Sequence, residues 1–113
     1  MSPERIQLKR TKGWRMPPGT VKVTRPGKWG NPFRVGNMDR RRYIPFDAHG
    51  AVERFVDKLV RGQLEITEAD VRRELAGKNL ACWCKPGEPC HADILLQIAN
   101  PDLPRPHPQE DKP

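Results

Sequence analysis

Three cysteines and a histidine fall within ten positions of this chain, as Cys82, Cys84, Cys90 and His91. Three thiolates and one imidazole are the donor types of a closed tetrahedral zinc site. The order is Cys-x-Cys, then five residues, then Cys-His, and not the paired Cys-x2-Cys knuckles of many zinc domains. Adjacent ligands at Cys90 and His91 would therefore have to diverge from neighbouring backbone positions. Two other readings stand beside zinc: a reactive thiol working without metal, and cysteines that are plain core residues, since free cysteine is among the most buried residue types. Four ligands would make a structural site, whereas three would leave a position for water and a hydrolytic or deaminating centre.

The elements around these residues predict how they are aimed. The run Asn79 to Trp83 is too short for a helix and reads as a buried strand. Residues two apart on a strand share a face, so Cys82 and Cys84 are expected to project together, with Trp83 on the opposite side. A Lys85-Pro86-Gly87-Glu88 turn follows, and Pro89 suits a first helical position. Cys90 and His91 then fall in the first turn of a helix running to about Ala99, where free amides and the helix dipole favour a thiolate. Asp93 is the candidate catalytic acid or base, because His91-Ala92-Asp93 resembles the His-x-Glu of zinc nucleobase deaminases. Its competing role is that of a carboxylate favoured by the helix dipole.

A second stretch carries binding chemistry. Arg25-Pro26-Gly27-Lys28-Trp29-Gly30-Asn31-Pro32-Phe33 combines cations, aromatic planes, glycines and an amide. Trp29 or Phe33 can stack on a planar base, Asn31 can bond a base edge, and Arg25 or Lys28 can take a phosphate. The alternative is a rigid turn whose tryptophan covers the core. Arg40-Arg41-Arg42 with Tyr43 offers a further grip on phosphates, or a solvated face.

These stretches sit in a chain of 113 residues with 35% hydrophobic content and a formal charge of +7, enough for one domain and one small core. The basic balance suits contact with nucleotide or nucleic-acid phosphates. Apolar runs are too short for a membrane span, the N-terminus lacks the apolar segment of a signal peptide, and the cysteine pattern is not a disulfide framework, so a cytoplasmic protein is expected. Residues 1–19 read as a basic arm, with a short strand in Arg5 to Lys9. Thr20 to Arg25 alternates as a strand, and Met38 to Pro45 reads as a basic loop. Helices are predicted over Asp47 to Arg61, from the apolar stripe through Phe55 and Leu59, and from an N-cap at Thr67, with Asp70 completing a capping box, to Gly77. Residues 101–113, with five prolines, read as a disordered tail.

The pairing of Lys28-Trp29-Gly30-Asn31-Pro32-Phe33 with Leu80-Ala81-Cys82-Trp83-Cys84 and Pro89-Cys90-His91-Ala92-Asp93 resembles domain of unknown function 4326, a small domain of bacteriophage and bacterial genomes. The resemblance covers about residues 20 to 100 and rests on Lys28, Trp29, Asn31, Cys82, Cys84, Cys90, His91 and Asp93. It implies a stand-alone phage or bacterial protein and brings no mechanism with it.

The expected architecture is a small single α/β domain over residues 20–100, a short, mainly parallel sheet flanked by three helices. Parallel strands near 20–25 and 79–84 would bring both motifs to one sheet edge, where open α/β sheets bind ligands. The functional expectation is a zinc-binding protein that binds, and as an enzyme modifies, a nucleotide or nucleobase. Its alternative is a non-catalytic, zinc-stabilised module for nucleic acid.

Overall fold

The computed structural model describes residues 3–85 and 87–102. The strands are β1 (Arg5–Gln7), β2 (Thr20–Lys22), β3 (Met38–Asp39), β4 (Ile44–Pro45) and β5 (Asn79–Cys82), and the helices are α1 (Ala48–Val60), α2 (Glu68–Leu75) and α3 (His91–Ala99). The expected small α/β domain is what the chain forms. Its main sheet has the order β1-β5-β2, with β5 central and parallel to both neighbours.

Strand β5 is apolar because it is flanked on both sides and covered: Leu80, Ala81 and Cys82 are buried. Its ladder reaches β1 through Leu80 N–H to Glu4 O at 3.0 Å and Leu8 N–H to Cys82 O at 2.7 Å, and β2 through Val23 N–H to Ala81 O at 2.9 Å. The stretch read as a basic arm thus contributes an edge strand, β1, in register Arg5 to Leu80 and Gln7 to Cys82. Helix α3 is the hub, packing on β5 and β1 and against α1 and α2. Phe55, Leu59, Val71, Leu75, Leu80 and Leu95 fill the space between them. Each such side chain contributes about 1.5–3 kcal/mol by leaving water.

The helix starts follow local chemistry. Asp47 caps α1, its carboxylate accepting from Gly50 N–H at 2.7 Å. The capping box of α2 closes both ways, with Thr67 Oγ1 accepting from Asp70 N–H at 3.1 Å and Asp70 Oδ2 from Thr67 N–H at 3.0 Å. Residues 101 and 102 form a turn after α3, and the rest of the expected tail lies outside the described residues.

Met38 to Pro45, expected as a loop, is a two-stranded antiparallel hairpin of β3 and β4. Its organiser is Asp39, which is 4% exposed. The Asp39 carboxylate accepts from Arg41 N–H at 2.9 Å and from the Arg54 guanidinium at 3.3 Å, and its carbonyl takes Tyr43 N–H at 2.7 Å. A turn built on one aspartate and a helix residue has no periodicity to announce it.

Candidate metal centre and cleft

Strand β5 ends at Cys82, and the chain bends at Trp83 and Cys84. The loop beyond is tied down from another strand. The Arg5 guanidinium in β1 donates to Lys85 O at 2.7 Å, to Glu88 O at 2.9 Å and to Asp93 Oδ2 at 2.9 Å. The Arg5 and Asp93 side chains are only 12% and 20% exposed, so this ion pair is partly sheltered from water. Within the loop, Glu88 N–H bonds Lys85 O at 3.0 Å and Lys85 N–H bonds Glu88 Oε1 at 3.0 Å. One arginine therefore fixes both the loop and the first turn of α3.

The result is convergence of the thiols. The sulfurs of Cys82, Cys84 and Cys90 all lie within 4.8 Å of one another, with Cys90 Sγ to Cys82 Sγ at 3.4 Å. This group could hold a metal ion. Cys82 and Cys90 are buried and Cys84 is half-buried. Contacts with Cys82 and Cys90, then the Arg5 charge, hold Cys84 well below the usual thiol range, while the contact with Cys84 pushes Cys82 up and those with Cys82 and Cys84 push Cys90 up.

His91 is 8% exposed at the start of α3. Its Nε2 lies 2.8 Å from Val23 O and 3.0 Å from Trp29 O. Both partners are carbonyls and only accept, so Nε2 carries the proton and Nδ1 presents its lone pair. That Nδ1 is 3.8 Å from Cys90 Sγ. Burial pushes the imidazole pKa down, which keeps the ring neutral at pH 7. A ring nitrogen held by backbone carbonyls while the other faces sulfur is the orientation that metal-ligating histidines commonly have.

A cleft of about 750 Å³ adjoins the centre. The three thiols, His91 and Trp83 line it on one side, Arg25, Asn31 and Phe33 come from the first motif, and Arg34 directly follows that motif. The two motifs thus share one cleft at the carboxyl edge of the sheet, as parallel pairing of β2 and β5 requires.

Within the first motif the roles differ from residue to residue. Trp29 is 7% exposed and belongs to the core; it serves His91 through its carbonyl. Lys28 lies over the Trp29 ring at 4.7 Å and pairs with Glu74 at 2.9 Å, beside a second cavity of about 480 Å³. Asn31 is buried and uses its amide internally, donating to Ala51 O at 3.1 Å and accepting from Phe33 N–H at 2.9 Å. Phe33 packs on Phe46 with ring centroids 5.8 Å apart, and the exposed Arg25 donates to Asn31 O at 2.6 Å. Gly30 permits this fold-back, since a Cβ there would stand 2.7 Å from Arg25 N and 2.8 Å from its Cα.

Asp93 is engaged by Arg5 and lies outside the cleft lining. Trp83 departs from the strand alternation expected of it: β5 stops at Cys82, so the indole lines the same cleft as both flanking cysteines. Arg5, Arg34 and Trp83 are the site residues that sequence reasoning missed. Only Trp83, an aromatic between two candidate ligands, carried a local signal.

A family model described as Domain of unknown function (DUF4326) matches residues 6–101. The chain belongs to this family. The DUF4326 span runs from inside β1 to just past α3, so both cleft motifs and all of the central strand lie within it. No curated protein and no solved structure matches the chain. Among the described residues no helix is long and apolar enough to cross a membrane.

Proposed function

We propose that this domain holds one zinc ion on Cys82, Cys84, Cys90 and Nδ1 of His91, and that the adjoining cleft binds a nucleotide or an exposed base of a nucleic acid. The observation that carries this reading is the meeting of three thiols with two arginines, Arg25 and Arg34, in one cleft. Ligands on a tetrahedral zinc stand about 3.5–3.8 Å apart. The 3.4 Å between Cys90 and Cys82 is close to that spacing; His91 Nδ1 is 3.8 Å from Cys90 but outside the mutually close group formed by the three sulfurs, so its ring has to shift towards them to become the fourth ligand. Zinc is favoured over harder cations because thiolate and imidazole are soft or borderline donors. Arg25 and Arg34 supply charge for a phosphate, and Phe33 an aromatic plane.

With four protein ligands the centre is closed, and the domain is a binding module. A three-thiol site with an exchangeable position is the catalytic alternative. Elemental analysis of the purified full chain, with Cys82→Ala and His91→Ala beside it, separates these. One zinc per chain, lost in Cys82→Ala and held much more weakly in His91→Ala, is the expected result. Metal-free wild type would overturn the zinc reading, and full retention by His91→Ala would move the site to three ligands.

A further inference from the structure

Trp83 sits at the cleft between two of the clustered thiols and is 45% exposed. A tryptophan left this open forgoes burial that Trp29, at 7%, obtains in full. The Arg10 guanidinium stands 4.7 Å from the Trp83 ring centroid, in cation–π range. Arg10 comes from the segment that follows β1, and Arg25 and Arg34 line the cleft from the segment after β2. Two arginines and two aromatic rings thus line the cleft, with Arg10 over one of them; Phe33 is packed on Phe46, which leaves Trp83 as the more open ring. One oxygen of the cleft's carboxylate, Glu88, accepts from Lys85 N–H, and the two lining arginines outnumber that single negative charge.

We infer that Trp83 is the stacking platform for the base of a phosphate-bearing nucleotide, with Arg25 and Arg34 receiving the phosphate and Arg10 setting the indole plane. This rests on the cleft reading above and deepens it by naming the ligand class and the residue that recognises its ring. An aromatic plane suits any flat heterocycle, and arginines suit any phosphate; a ligand carrying both matches a nucleotide, free or at the end of a single strand. A cleft of about 750 Å³ is within the usual size of small-molecule sites.

The test is calorimetric titration of the full chain with adenosine, guanosine, cytidine and uridine monophosphates, with ribose 5-phosphate as the baseless control and a short single-stranded oligonucleotide as the other source of the same chemistry. Stacking on one base predicts that Trp83→Ala weakens nucleotide binding by roughly tenfold. Trp83→Tyr should keep most of it, and ribose 5-phosphate should bind weakly and alike to wild type and both Trp83 variants. Unchanged zinc content in Trp83→Ala separates loss of the platform from loss of the centre. Nucleotide binding that weakens in Arg34→Ala but is equal in wild type and Trp83→Ala would overturn the stacking role and leave the cleft reading standing. A wild type that binds none of the probes would overturn both.

Discussion

The two cleft loops look alike in composition and are built in opposite ways. Each has a tryptophan, a glycine, a proline and a lysine. The loop of residues 25–33 is held mainly from within: Asn31 bonds Phe33, Arg25 bonds Asn31, Gly30 lies against residues 24 and 25, and Trp29 joins the core. The loop of residues 83–90 closes on itself through Lys85 and Glu88 but is tied to the fold from outside, by Arg5 of an edge strand, and it leaves its tryptophan half exposed beside the sulfurs. A loop that ties its own side chains together spends them on stability. One held by a distant residue keeps its own side chains available for a ligand.

That contrast can be broken by experiment. The largest difference is expected between the two tryptophans. Trp29→Ala should cost about 3–5 kcal/mol of unfolding free energy as a core truncation, against less than about 1 kcal/mol for Trp83→Ala. Denaturant melts of the two variants measure it, and equal losses would remove the distinction between the loops.

Arg5→Ala tests the external tie. It removes one donor group shared by Asp93 and two carbonyls, a cost of roughly 2–3 kcal/mol. If the thiol centre depends on that tie, metal affinity should fall by about 10- to 100-fold, as for other residues that orient ligands. Competition with a chromophoric chelator reads this out. An Arg5→Ala chain that is less stable but binds metal as tightly as wild type would confine Arg5 to the fold.

The smallest effect belongs to a local device remote from the loops. Thr67→Ala should cost about 1 kcal/mol through loss of the α2 cap and leave metal content unchanged. Asp70, the other half of the box, is held below the usual carboxylate pKa by its hydrogen bond to Arg73, then by Thr67 N–H. A lowered folded pKa means a contribution present above the unfolded value and lost as pH falls through the folded one. The stability that Asp70 adds should thus fade in acid below about pH 4, which melts of Asp70→Asn against wild type across pH would detect.

How much of this was legible beforehand varied with the range of the interactions. The capping box at Thr67 and Asp70, the α1 stripe through Phe55 and Leu59, and the strand expected over Asn79 to Trp83 are local patterns; the first two appear where the sequence places them, and the strand stops one residue short, at Cys82. The thiol cluster was legible as a donor set because its three cysteines are close in the chain. The hairpin at Met38 to Pro45 was not, since it rests on Asp39 meeting Arg54 from α1. Nor was the part played by Arg5, whose partners lie 80 to 88 residues away.

The cysteine and histidine stretch therefore divides cleanly. By itself the sequence determined the donor types, a last helix from about Cys90, which the structure begins one residue later with Cys90 as its N-cap, and the membership of both motifs in one small α/β domain, because these follow from residue identity and short-range periodicity. Only the tertiary structure decided that Trp29 is core and Trp83 is open, that Asp93 answers to Arg5, and that His91 turns Nδ1 towards sulfur. Each of those depends on which distant carbonyl, cation or apolar wall the folded chain brings within contact, and no local pattern encodes that.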